Sequence, residues 1–235
     1  MTKEKKIIIF NIIFALIVVA FDVVYAIFSN PWVFKTTTSL LFVAGGVVNL
    51  VFVYRAGFAE DKHKRFAILM MIGLIFAMLG DIFLIPKALF IVGAGLFAVG
   101  HVFFFVAYIQ LVKINWKDLL IAGIIFVASL LVILLYDGFT FEGPMQVVVI
   151  IYALIISCML GKSAGNLLSK DMSNWAKWLI FIGSVMFFLS DLFLLFNVFA
   201  NAGVVFDNLC LAFYYPAEVL LAMSIYYSSR KKEIK

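Results

Sequence analysis

Residues 66–85, FAILMMIGLIFAMLGDIFLI, follow the charged run Asp61-Lys62-His63-Lys64-Arg65 and stop at Pro86. The stretch has the length an α-helix needs to cross about 30 Å of hydrocarbon, and it carries one charge, Asp81. Its polar residues do not alternate with apolar ones, as those of a barrel strand would. It reads as a membrane-spanning helix bearing a carboxyl. Working outward, seven more segments read the same way, at roughly 7–28, 37–54, 89–112, 119–136, 145–161, 178–200 and 207–228. With 66% hydrophobic and 13% charged residues and a mean hydropathy of +1.17, this 235-residue chain has too little polar surface for water. The expected fold is all-α: a polytopic integral membrane protein with eight transmembrane helices in one transmembrane domain, 1–235.

The basic residues set the expected orientation. A cytoplasmic N-terminus puts 16 of the 18 Lys and Arg on the inside and only Lys35 and Lys87 outside. Both termini are then cytoplasmic, with Lys62, Lys64, Arg65, Lys162 and Lys177 in inner loops. The net charge of +5 thus reports topology and contact with lipid headgroups rather than nucleic acid. The apolar run after Lys6 is longer than a signal-peptide core and reads as the first permanent helix. Cys158 and Cys210 fall within spans, as small buried thiols rather than a disulfide or metal site.

Asp81 does not stand alone. The frame Leu79-Gly80-Asp81-Ile82-Phe83-Leu84 returns as Leu189-Ser190-Asp191-Leu192-Phe193-Leu194. At the same offset Gly73 meets Gly183, Phe103 meets Phe213 and Ala107 meets Ala217, which suggests parallel repeat halves, 1–117 and 118–235, divided at the external loop 137–144. A carboxyl in hydrocarbon costs about 2.5–3.5 kcal/mol on insertion scales, so an intramembrane Asp is a functional candidate. Asp22, Asn49, His101 and Glu218 are also intramembrane, and Tyr25, Tyr108, Tyr214 and Tyr215 are candidates to complete a hydrogen-bonded lining. For Asn49 the competing reading is a helix-packing hydrogen bond, and the glycines at 73, 80, 93, 95, 100 and 183 read as close-packing positions.

Two carboxyls in a low-dielectric cavity are general acid and base equipment, one neutral and one ionised. No G-x-S-x-G elbow is present, and Ser190 has no assigned base. His63 falls in a charged loop, so His101 is the one intramembrane histidine and a zinc site is disfavoured. Intramembrane aspartyl proteases also pair two aspartates, but Met78 and Ser190 break their signatures.

Gly80-Asp81-Ile82-Phe83-Leu84, the run from Gly95 through His101 to Tyr108, Gly183 to Ser190-Asp191, and Tyr214-Tyr215-Pro216-Ala217-Glu218 together resemble the YhhN family of eight-helix membrane proteins. That family includes bacterial and animal lysoplasmalogenases. The resemblance implies a hydrolase that cleaves the vinyl ether bond of lysoplasmalogen, releasing a fatty aldehyde and glycerophosphoethanolamine or glycerophosphocholine. Asp81 and Asp191 are then the expected catalytic pair, which is acid and which base being open. His101, Glu218, Asp22, Tyr108, Tyr214, Tyr215, Ser190 and Asn49 are expected to support them or line the substrate path, with no metal or organic cofactor. The expected partners are a lysophospholipid substrate and membrane lipids, and the expected location is a bacterial cytoplasmic membrane. A proton-coupled or small-solute transporter and a non-catalytic lysolipid-binding protein are the rival readings.

Overall fold

The computed structural model describes residues 3–28, 30–55 and 60–230. The side chains of Lys3, of residues 25–28 and of Pro31 lie outside that description, and Tyr25 with them. The described chain forms eight α-helices: α1 Lys3–Phe28, α2 Pro31–Arg55, α3 Asp61–Leu84, α4 Phe90–Leu111, α5 Trp116–Leu135, α6 Met145–Leu167, α7 Asn174–Phe199 and α8 Val204–Ser228, with one 3-10 turn, Lys87–Leu89, ahead of α4. All eight are long and apolar enough to cross a membrane. A helix pairs its own backbone N–H and C=O groups, which hydrocarbon would otherwise leave unsatisfied. The outward side chains are apolar as well: Leu16, Ile124, Leu131 and Leu135 are more than half exposed, a surface suited to lipid.

Several helices begin or end beyond the apolar runs. The charged run Asp61 to Arg65 forms the first turns of α3, so His63 is helical rather than in a loop. α2 starts at Pro31, ahead of the segment 37–54, and Thr38 and Ser39 donate to the carbonyls of Phe34 and Lys35, one turn back. Ser173 caps α7 by accepting from the Ala176 amide, and Asn115 with Asp118 forms a capping box on α5. The largest departure is Lys162, expected in an inner loop. It lies within α6, 1% exposed, donating to Asp118 Oδ2 at 2.8 Å and to the Lys113 carbonyl at 3.1 Å. A carboxylate in reach lets the ammonium leave water.

The helices pack as antiparallel hairpins. The most intimate pairs are α3 with α4 and α7 with α8. In the first, a Cβ on Gly100 would come within 3.2 Å of the Gly73 carbonyl oxygen, so the two backbones meet where neither has a side chain. Gly80, Gly93 and Gly183 also face packed neighbours, whereas Gly95 faces open space. α8 is the centre of the bundle, touching α1, α2, α3 and α7; among the described helices α5 packs closely on α6 alone. Near the start of α1, Asn11 and Asn49 exchange reciprocal amide hydrogen bonds of 3.1 and 2.9 Å across α1 and α2.

Candidate active site

Two buried carboxyl nodes form where the hairpins meet. In the first, Asp81 of α3 receives the Tyr214 hydroxyl of α8 at 2.9 Å and stands 2.5 Å from the Ser39 hydroxyl of α2. Ser39 also faces the Lys35 carbonyl at 2.7 Å. It has one hydrogen for two acceptors, the Lys35 carbonyl and the Asp81 carboxyl. Asp81 is 4% exposed, and the node is closed around it.

In the second node, Asp191 of α7 accepts from the Tyr152 hydroxyl of α6 at 2.8 Å. His101 Nε2 of α4 is 3.7 Å from the same oxygen, Oδ2, beyond hydrogen-bond length. The imidazole packs edge-on to Phe187 at 4.4 Å and to Tyr152 at 5.5 Å between ring centroids. The Asp191 side chain keeps 14% of its surface exposed. That exposure opens on a cleft between α4 and α7, backed by α6 and flanked by α5, enclosing about 850 Å³ with its open mouth included. The walls are almost wholly apolar, with Asp191, Tyr152 and Ser129 as the polar groups. Asp81 is not part of that lining, and no hydrogen bond joins it to Asp191 among the described residues.

Glu218, fully buried on α8, is near both nodes. Among the described residues neither of its buried carboxyl oxygens has a partner at ordinary hydrogen-bond geometry. Tyr214, one turn earlier on α8, is its neighbouring hydroxyl but gives its proton to Asp81. Glu218 is within electrostatic reach of both aspartates. Pro216, between Tyr214 and Glu218, has no amide hydrogen for the helix ladder at this level.

The remaining candidates are placed differently. Tyr108 pairs with Ser184 at 3.0 Å, bracing α4 to α7. Ser190 meets Cys210 Sγ at 3.4 Å across α7 and α8. Tyr215 is buried and packs on the Tyr214 ring, 4.9 Å between centroids. Asn49 is engaged with Asn11, away from both nodes. Asp22 is half-buried on α1 and makes no hydrogen bond among the described residues. Ser39 and Tyr152 are partners that sequence reasoning missed. The signal for both was a hydroxyl in or beside an apolar run, too common to single out. Among the described residues no three His, Cys, Asp or Glu side chains converge as a metal ligand set.

The fold and its two carboxyl nodes define a polytopic helical membrane protein with acid groups inside the bundle and an apolar cleft leading to one of them. The chain belongs to the YhhN family, whose model matches residues 30–225. The match includes α2 and both nodes; Asp22 precedes it. No curated protein and no solved structure matches the chain.

Proposed function

We propose that this protein is a lysoplasmalogenase-type hydrolase, cleaving the vinyl ether of an alkenyl lysophospholipid drawn from the bilayer. The observation that carries the reading is Asp191, a carboxyl at the wall of an otherwise apolar cleft. Such a cleft suits a hydrocarbon chain, and its one acid is available to a bond at the end of that chain.

The chemistry begins with a proton. Asp191 gives its proton to the outer alkenyl carbon, whose π pair forms the new C–H bond and leaves an oxocarbenium ion. Water adds to that ion and passes a proton to the carboxylate left behind. The hemiacetal then breaks its bond to the glycerol oxygen, which takes up a proton as the hemiacetal hydroxyl gives one up, yielding alcohol and aldehyde, so that one water is consumed and Asp191 is restored. Asp81, screened from the cleft, supports this sequence by holding Ser39 and Tyr214 behind it, with Glu218 as the group common to both nodes. Donor and acceptor roles divided between two equal aspartates thus give way to an unequal pair.

The test is aldehyde release from purified alkenyl lysophospholipid by wild type, Asp191→Asn and Asp81→Asn in detergent or nanodiscs. Asp191→Asn is expected to lose at least about a thousandfold in kcat and Asp81→Asn about ten- to a hundredfold. Full activity in either variant sinks the mechanism. Solute flux in liposomes without product would favour a transporter instead.

A further inference from the structure

Asp191 has two oxygens in unequal surroundings. Oδ2 accepts the Tyr152 hydroxyl at 2.8 Å and faces His101 Nε2 at 3.7 Å; Oδ1 makes no hydrogen bond among the described residues. The side chain is nonetheless partly exposed, and the surface it lines is the cleft. Tyr152 lines the same cleft, and its ring is held edge-on to His101, so the hydroxyl's direction is set by packing rather than by free rotation of the side chain.

Resting on the hydrolase reading, we propose that Tyr152 is the positioning residue for Asp191: it occupies Oδ2 so that the proton to be delivered sits on Oδ1, facing the substrate. A carboxylic acid transfers a proton from one oxygen while the other accepts. A donor fixed on Oδ2 favours the arrangement in which Oδ1 carries the hydrogen. Once that proton has moved to the alkenyl carbon, the Tyr152 O–H remains on Oδ2 and the bond becomes a charge-assisted one, stronger in the transition state than before it. Tyr152 itself neither gains nor loses a proton. At Asp81 both hydroxyls, Ser39 and Tyr214, likewise meet Oδ2, but the cleft does not reach that carboxyl, so no substrate faces its other oxygen.

Tyr152→Phe removes the hydroxyl and keeps the ring against His101. Measured by aldehyde release with the full chain in nanodiscs, it is expected to lower kcat about ten- to a hundredfold, the worth of one charge-assisted hydrogen bond, with KM unchanged. The solvent deuterium isotope effect on kcat is expected to rise, because proton delivery becomes more fully rate-limiting. The Asp191→Asn and Tyr152→Phe double variant is expected to be no slower than Asp191→Asn alone, since the tyrosine acts through the aspartate. Unchanged kcat in Tyr152→Phe overturns the proposal while leaving the hydrolase reading intact. So does a loss of kcat accompanied by a lower melting temperature and an unchanged isotope effect, which marks a purely structural role. A wild type that releases no aldehyde fails the hydrolase reading, and this one with it.

Discussion

At the scale of single residues, the same side chain, aspartate, is used in two ways within one bundle. Asp81 is enclosed by two hydroxyls from two other helices, so it ties α2, α3 and α8 together. Asp191 has one hydroxyl partner and an open side. The difference predicts different mutational costs. Ser39→Ala and Tyr214→Phe each remove one buried hydrogen bond to Asp81 and are expected to destabilise the protein by about 1–2 kcal/mol. Their effects are expected not to add, because both hydroxyls address one oxygen. Thermal unfolding in detergent of the two single variants and the double variant measures this; strictly additive shifts would show that the hydroxyls act independently.

At the scale of elements, the α5–α6 hairpin is the least supported part of the bundle, and its stability is concentrated at one end. Asp118 caps α5, meets Lys162 of α6 and lies against Gly165, where an added Cβ would come within 1.7 Å of its Oδ1. Removing one partner of such a buried pair leaves the other charge uncompensated. Asp118→Ala is therefore expected to cost roughly 3–5 kcal/mol, while Asp118→Leu combined with Lys162→Met recovers most of it. Melting temperatures of the three proteins check the order. A single variant as stable as wild type would show that Lys162 does not need Asp118.

At the scale of the molecule, helices α1–α4 and α5–α8 make similar contacts with one consequential difference. α2 reaches α8 as α6 reaches α4, and each aspartate is met by a side chain from each of these helices. α3, however, packs directly on α8, and α1 also covers α8. Their counterparts do not close in the same way. α7 approaches α4 only through side chains such as Phe97 and Phe187, 6.1 Å between ring centroids, and α5 stays on α6. The gap that results is the cleft. Filling it is the direct test: Val149→Trp, on the cleft wall, is expected to cut kcat/KM for an alkenyl lysophospholipid at least about tenfold, the scale of a blocked apolar subsite. Val147→Trp, on the exposed face of the same helix, is expected to leave it unchanged. Equal effects of the two would place the substrate elsewhere.

The sequence by itself determined the class of fold and the identity of the acids. Apolar runs of bilayer length have one backbone solution in hydrocarbon, so eight helices follow from composition and length. Asp81, His101, Asp191 and Glu218 are conspicuous because charge and polarity are costly there. Helix ends were less legible: His63 and Lys162 are helical because capping and a buried partner carry a helix past its apolar run, and neither shows in hydropathy. The difference in surroundings between the two aspartates was not legible at all. Asp81 and Asp191 share nearly one local frame, and local sequence offers no reason to separate them. Only the tertiary structure does so, because α3 and α8 pack closely over one carboxyl while α4 and α7 stand apart beside the other. Access to substrate is a property of the space between helices, fixed by packing across the whole chain.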